Sequence, residues 1–254
     1  MAARPEPAGK GVGATVVELR GISRVYRQGG QEVRALDGVD FVLAAGDFVS
    51  LSGPSGSGKS TLLNVIGGLD RPTAGVVRVG DLELRAMDAS ALASMRLHRI
   101  GFVFQAYNLI PVLSARENVE FILQLQGVGA AERHARALAT LADLGIDDLA
   151  DRRPADMSGG QQQRVAVARA LAPRPLLLLA DEPSANLDSA TTRTLMGLLR
   201  QRNERDGVTI ITATHDPLVM GYARRHVRMV DGRIVADTRD AATAGDDNDA
   251  LVTP

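Results

Sequence analysis

Residues 51–64 read LSGPSGSGKSTLLN. Positions 53–58 hold three glycines, two serines and a proline; a lysine, two hydroxyls and an apolar run at helical spacing follow. A turn stripped of side chains directly before a lysine leaves bare N–H groups for something large and negative. The spacing is G-x-x-x-x-G-K-[ST] at Gly53, Gly58, Lys59 and Ser60. A strand pattern at 48–52 precedes it and a helical pattern at 59–67 follows, which is the context the motif requires. Gly53, Pro54, Ser55, Gly56, Ser57 and Gly58 are read as a cradle for phosphate oxygens, reinforced by the dipole of the helix that starts at Lys59. Lys59 reaches the β and γ phosphates, Ser60 offers its hydroxyl to Mg²⁺, and Thr61 offers one to a phosphate. Kinases, GTPases and transport ATPases all use such a cradle, so the rest of the chain must choose among them.

Strand and helix patterns alternate on both sides of the cradle. Strands are expected at 16–19, 39–43, 48–52, 100–104, 176–180 and 208–213, a β pair at 76–79 and 82–84, and a hairpin at 227–236 around Asp231-Gly232. Helices are expected at 59–67, 117–126, 131–144, from about 160 to 172, and at 189–202. Continuous apolar strands between helices imply a mainly parallel sheet covered on both faces. The stretch 106–172 carries helical patterns and no strand, and reads as a helical subdomain inserted into the α/β core. Residues 1–14 and 238–254 read as disordered and flexible tails around a domain at 15–237.

LLLLADEPSANLD at 176–188 places Asp181 and Glu182 at the C-terminal end of a buried strand, where open parallel sheets bind ligands. Successive residues at a strand end point apart, so two tasks are available. Asp181 is read as a Mg²⁺-shell ligand and Glu182 as the general base that polarises an attacking water. Gln105 ends another strand; a glutamine there is ordinarily just exposed, but here it stands where the core hands over to the insert and is a candidate for Mg²⁺ or water. His215 ends the strand VTIITAT and is a candidate γ-phosphate contact, although a lone histidine is more often structural. Tyr26 precedes the turn Arg27-Gln28-Gly29-Gly30. Its ring stands either exposed for adenine stacking or half-buried in packing. In AYNLIPVLSA (106–115), Tyr107, Leu109, Ile110, Val112 and Leu113 either pack within the insert or form a groove for a partner's helix.

MSGGQQQR at 157–164 opens another helix with Ser158, Gly159 and Gly160, a second anion-binding helix start in one chain. If the two starts lie far apart within a subunit, a pair of subunits resolves them: the cradle of one faces the SGGQ of the other across one nucleotide. With Gln105, LADEP, NLD and His215, these motifs resemble the ABC-type ATPases. Within them, VRALDGVDF (33–41), GDFVSLSGPSGSGKSTLLNVIGGLDRPTAG (46–75) and GFVFQAYNLIPVLSARENV (101–119) resemble the group that powers lipoprotein release and macrolide-type export. The resemblance spans about 15–236. It implies a P-loop NTPase core with a mainly parallel sheet, an antiparallel β subdomain and an inserted α-helical subdomain. It further implies ATP hydrolysis with Mg²⁺, catalysis by Glu182, His215 and Gln105, and metal ligation by Ser60, Gln105 and Asp181. The head-to-tail homodimer it implies lends Ser158, Gly159, Gly160, Gln161 and Asp188 to the partner's ATP. An integral membrane permease at the cytoplasmic face of the cell membrane would be the driven part, the ATPase being peripheral. The chain departs from the group's pattern at Asp156, Met157, Ser184 and Ala185.

Bulk properties agree. The 29 basic and 30 acidic residues of 254 give a net charge of −1, which makes no case for nucleic acid as a partner. The absence of cysteine excludes disulfides and thiolate metal sites. MAARPEPAGKGVGAT lacks the apolar core of a signal peptide, and no apolar run approaches the ~20 residues that span a bilayer. A soluble ABC ATPase outside transport is the alternative; such proteins usually carry two cassettes or a long coiled-coil insert, and this chain shows neither. A small-molecule P-loop kinase would have no use for SGGQ.

Overall fold

The structure is a computed structural model and describes residues 14–240. In chain order the elements are β1 (Thr15–Gln28), β2 (Gln31–Ala44), β3 (Phe48–Ser52), α1 (Lys59–Ile66), β4 (Ala74–Val79), β5 (Leu82–Glu83), α2 (Ala89–Arg99), β6 (Ile100–Val103), α3 (Ala115–Leu125), α4 (Ala130–Asp143), α5 (Gly159–Leu171), β7 (Leu177–Asp181), α6 (Ser189–Asp206), β8 (Thr209–Ala213), α7 (Pro217–Met220), β9 (Arg225–Val230) and β10 (Arg233–Arg239). Among the described residues the strands make two sheets, an antiparallel one in the order β2-β1-β4-β5 and a six-stranded one in the order β10-β9-β3-β8-β7-β6. In the second, β6, β7, β8, β3 and β9 run parallel and β10 pairs antiparallel with β9.

Neighbouring residues of the parallel strands feed two different cores, as strand geometry requires. Phe48, Leu178, Ala180 and Ile210 point to one side, where α3 to α6 supply Val119, Leu123, Leu141, Val165, Leu195 and Leu199. Val49, Leu51, Leu177, Leu179 and Ile211 point to the other, against α1, α2 and the antiparallel sheet. Each buried leucine or isoleucine contributes about 1.5–3 kcal/mol of transfer free energy, so the LLLLA run fixes β7 between layers.

Several elements differ from the sequence expectation. β1 and β2 are 14 residues each rather than four or five, because their charged tips extend beyond the core and bend at register shifts near Leu19–Arg24. α2 was not expected; Asp88 caps it by accepting from Ala91 N at 2.8 Å, and only Leu92 and Met95 are buried, too thin an apolar stripe to read beforehand. β10 continues through Thr238 and Arg239, into the expected tail. Residues 1–13 and 241–254 lie outside the described residues.

Between β6 and β7, α3, α4 and α5 pack on one another. Leu109 packs against their core, and Val112 is 70% exposed. Buried Asn118 on α3 holds the preceding loop: Oδ1 accepts from Ile110 N at 2.8 Å, and Nδ2 donates to the carbonyls of Ile110, Leu113 and Ser114 at 3.1, 3.1 and 2.9 Å. An Asn118→Ala variant strands these backbone groups. It is expected to lose about 3 kcal/mol of unfolding free energy, measurable by urea denaturation.

Candidate functional site

The cradle hangs between β3 and α1. Gly53, Gly56 and Gly58 have φ of 146°, 79° and 100°. At Gly53 a Cβ would run into the Met229 carbonyl and Ser57 Oγ, and at Gly58 into the Ala35 carbonyl. These positions thus need glycine both for backbone freedom and for close approach. Gly58 is the N-cap of α1 and supplies no side chain, so the first-turn N–H groups stay aimed at the loop. Buried Lys59 curls back into it, its Nζ donating to the carbonyls of Gly53 at 2.8 Å and Pro54 at 3.0 Å. Ser57 Oγ is buried beside Gly53 and has no hydrogen-bond partner among the described residues.

Neighbouring strand ends complete the group. Along the order β3-β8-β7, the cradle, His215 and Asp181-Glu182 follow three adjacent strands. Asp181 receives a hydrogen bond from Ser60; burial pushes its carboxyl above the ordinary value and the Glu182 charge adds to this, while the Ser60 bond and Lys59 oppose it. Glu182 takes φ of 46°, and its N–H donates to the Ala213 carbonyl at 2.9 Å. That left-handed turn sends its side chain to His215, with Oε1 to Nδ1 at 2.8 Å. Lys59, Ser60, Asp181, Glu182 and His215 therefore form one electrostatic unit. Thr61 lies half-buried in the first turn of α1.

Gln105 follows β6, across β7 from His215; it is exposed, and its carbonyl accepts from Asn186 Nδ2 at 3.3 Å. Tyr26 is half-buried, its hydroxyl donating to Asp70 and one ring face lying beneath Arg24, so a single face is left for stacking.

A second group forms at the starts of α5 and α6. Ser158 caps α5 in a closed box with Gln161: Ser158 Oγ accepts from Gln161 N at 3.3 Å and Gln161 Oε1 accepts from Ser158 N at 2.9 Å. Side chains at Gly159 and Gly160 would collide with the Tyr107 hydroxyl and with Thr191 Cγ2. Asp188 caps α6, accepting from the N–H groups of Ala190 and Thr191 at 2.9 Å each and from Thr191 Oγ1 at 2.7 Å. Among the described residues no hydrogen bond joins Ser158, Gln161 or Asp188 to residues 53–61. Sequence reading passed over Arg169, a half-buried guanidinium on α5 that donates to the carbonyls of Tyr107, at 3.0 Å, and Asn108. Desolvation lowers its pKa, and an arginine at helical spacing gives no advance sign of such a post.

A phosphate loop after a parallel strand, a carboxylate on the adjoining serine and a carboxylate–histidine pair beside them define a P-loop nucleotide-binding ATPase-type domain. The model of the family described as ABC transporter matches residues 36–185, and the chain belongs to that family. It is 47% identical over 227 residues to the lipoprotein-releasing system ATP-binding protein LolD of Anaeromyxobacter dehalogenans, covering 89% of this chain and 95% of LolD. It is 47% identical over 223 residues to the macrolide export ATP-binding/permease protein MacB of Marinobacter nauticus, covering 88% of this chain but 34% of MacB. The chain thus spans about a third of the length of the MacB relatives it matches. A dimeric post-hydrolysis structure of the ATP-binding cassette MJ0796, bound to ADP and Pi, superposes with a TM-score of 0.83 at 43% identity, covering 88% of this chain and 98% of that one.

The Glu182 contact raises the pKa of exposed His215, through the hydrogen bond first and the carboxylate's charge second. With the folded value raised, the ion pair's contribution is complete below the ordinary imidazole value of about 6.5 and disappears as pH climbs through the raised value. An NMR titration should place the His215 midpoint above 6.5 in the wild type and return it toward 6.5 in Glu182→Gln.

Proposed function

We propose that the chain is the ATP-binding and ATP-hydrolysing subunit of an ABC transporter complex. In this reading it works as a head-to-tail homodimer whose closure on ATP drives an integral membrane permease. The observation that carries this is the convergence of Lys59, Ser60, Asp181, Glu182 and His215 at one strand-end cluster. Ser60 and Asp181 suit a divalent cation, because a half-buried carboxylate with an upward-shifted pKa gains from a positive neighbour. Gln105 would join them from the end of β6. Mg²⁺, when bound, neutralises charge on the β and γ phosphates.

Gly53 to Gly58 hold the phosphates with backbone N–H groups, Lys59 exchanges its carbonyl contacts for phosphate oxygens, and Thr61 adds a hydroxyl. Tyr26 stacks on adenine with its open face. Glu182 accepts the proton of the attacking water while His215 holds the carboxylate in place and reaches the γ phosphate. The partner subunit supplies the N-terminus of its own α5 through Ser158, Gly159, Gly160 and Gln161. Asp188 has both carboxylate oxygens in its own helix cap, so its part across the dimer is to fix the turn that faces the partner. Swinging a closed–open equilibrium from 1:99 to 99:1 takes about 5.5 kcal/mol. Three or four charge-assisted bonds to the γ phosphate, at roughly 1.5–3 kcal/mol each, are enough.

Support for transport comes from the names of the relatives, which pair ATP-binding with lipoprotein release or macrolide export. Among the described residues no helix is long and apolar enough to cross a membrane; in this reading the chain works peripherally, at the cytoplasmic face of the cell membrane, on an integral permease. Leu109 packs on the insert's own core, and Val112, 70% exposed, is the apolar residue of that loop most open to meet a permease helix.

Glu182→Gln should lower ATP turnover by about 10²–10⁴-fold and accumulate ATP-loaded dimers on size-exclusion chromatography; wild-type turnover in that variant would sink the general-base assignment. Val112→Asp should leave the basal ATPase rate intact and reduce co-purification of the permease from detergent extracts, whereas undiminished recovery would place docking elsewhere.

A further inference from the structure

Tyr26 is held by a carboxylate that belongs to a different layer. Its hydroxyl donates to Asp70 Oδ2 at 2.6 Å. Arg24 binds the same carboxylate through both oxygens, Nε to Oδ2 at 2.9 Å and Nη2 to Oδ1 at 2.8 Å. The guanidinium carbon stands 4.5 Å from the centroid of the Tyr26 ring. Arg24 and Tyr26 are two apart on β1 and so share a face of the strand. One carboxylate thus fixes the rim of the ring directly and its back face through a bidentate arginine, a geometry a single-point cation would not give.

Asp70 stands on the turn that ends α1. Leu69 N and Asp70 N both donate to the Asn64 carbonyl, at 2.8 and 3.1 Å, and Asp70 Oδ1 also accepts from Arg71 N at 2.8 Å. The turn that carries Asp70 follows the helix that begins with Lys59 and Ser60. Tyr26 pairs with Val33, and the nearby Ala35 carbonyl backs Gly58 of the cradle.

We propose that Asp70 is a positioning residue for the nucleotide: through Arg24 and Tyr26 it locks the base-stacking ring to the same helix that begins at the phosphate cradle. The proposal rests on the reading above in which Tyr26 stacks on the base. A tyrosine at a strand end would otherwise have to be ordered during binding, and the clamp removes that cost in advance.

The test is nucleotide affinity in the full chain, with ATP and inorganic tripolyphosphate as paired probes, since tripolyphosphate occupies only the cradle. Asp70→Ala is expected to weaken ATP roughly two- to tenfold, the range set by ordering one side chain, and to leave tripolyphosphate unchanged. Tyr26→Ala is expected to weaken ATP by roughly five- to a hundredfold, the range of one base–aromatic stack, again sparing tripolyphosphate. The double variant should bind ATP no more weakly than Tyr26→Ala alone. Asp70→Asn, which keeps an acceptor for the Tyr26 hydroxyl and the shape of the site, should fall between wild type and Asp70→Ala, and it carries the comparison if the alanine variant does not fold. Equal losses for both probes would make Asp70 a plain structural tie and overturn the proposal. So would unchanged ATP binding in both Asp70 variants while Tyr26→Ala weakens it. Unchanged ATP binding in Tyr26→Ala would instead remove the stacking reading itself, and the proposal with it.

Discussion

Gly53 and Gly58 lie against the carbonyls of Met229 and Ala35 with no room for a Cβ. Met229 belongs to β9 of the six-stranded sheet and Ala35 to β2 of the antiparallel one, so the phosphate cradle is a seam between two layers. Gly232, in the turn between β9 and β10, closes the seam from behind: its N–H donates to the Ser57 carbonyl at 3.1 Å and its carbonyl accepts from Asp37 N at 2.9 Å. A loop that must present bare N–H groups to an anion cannot stiffen itself with its own side chains. It is stiffened by what packs behind it, and this is why the antiparallel sheet is needed beside a core that already buries its strands.

The second group of residues is built on a different economy. Around α5 and α6 the polar side chains are consumed by local caps: Ser158 with Gln161, and Asp188 with Thr191. What remains for a ligand is backbone and dipole, with glycines at 159 and 160 because Tyr107 and Thr191 press against them. Arg169 and Asn186 tie this region to the segment at Gln105–Asn108 through backbone carbonyls. The hand-over between β6 and the helical layer is therefore fixed to the last turn of α5 and to the loop before α6, by side chains that donate to backbone carbonyls.

Much of this was legible in the chain. The cradle, LADEP and SGGQ each carry a fixed spacing whose physics is local, and β3, β7 and β8 announce themselves as short apolar runs. The illegible parts are those decided by distant partners. Tyr26 read as a ring free for stacking, with packing as the alternative, because its partner Asp70 lies 44 positions away and a carboxylate after Gly-Gly-Leu looks like an ordinary turn residue. α2 hid behind a two-residue apolar stripe. Leu109 and Val112 looked alike as apolar residues beside a proline, and only the packing of α3 to α5 sends one inward and the other out.

The departures from the family pattern take on a physical sense in the same way. Met157 stands where leucine is usual and is buried against the helical core, a swap of similar volume that a packed interior tolerates at less than about 1.5 kcal/mol. Ser184 is buried beside Pro183, whose carbonyl accepts from Gln163 Nε2 at 2.7 Å. Gln163 lies on α5 and Pro183 directly follows Glu182, so the SGGQ helix and the Glu182 turn are joined through one buried amide. Any movement of α5 toward a second subunit must either carry Glu182 with it or break that bond inside a core where Gln163 Oε1 already lacks a partner. Breaking it would leave further buried polar atoms unpaired at about 1–3 kcal/mol each. The cheaper course is for the two to move together, which couples the placement of Glu182 to the approach of the partner.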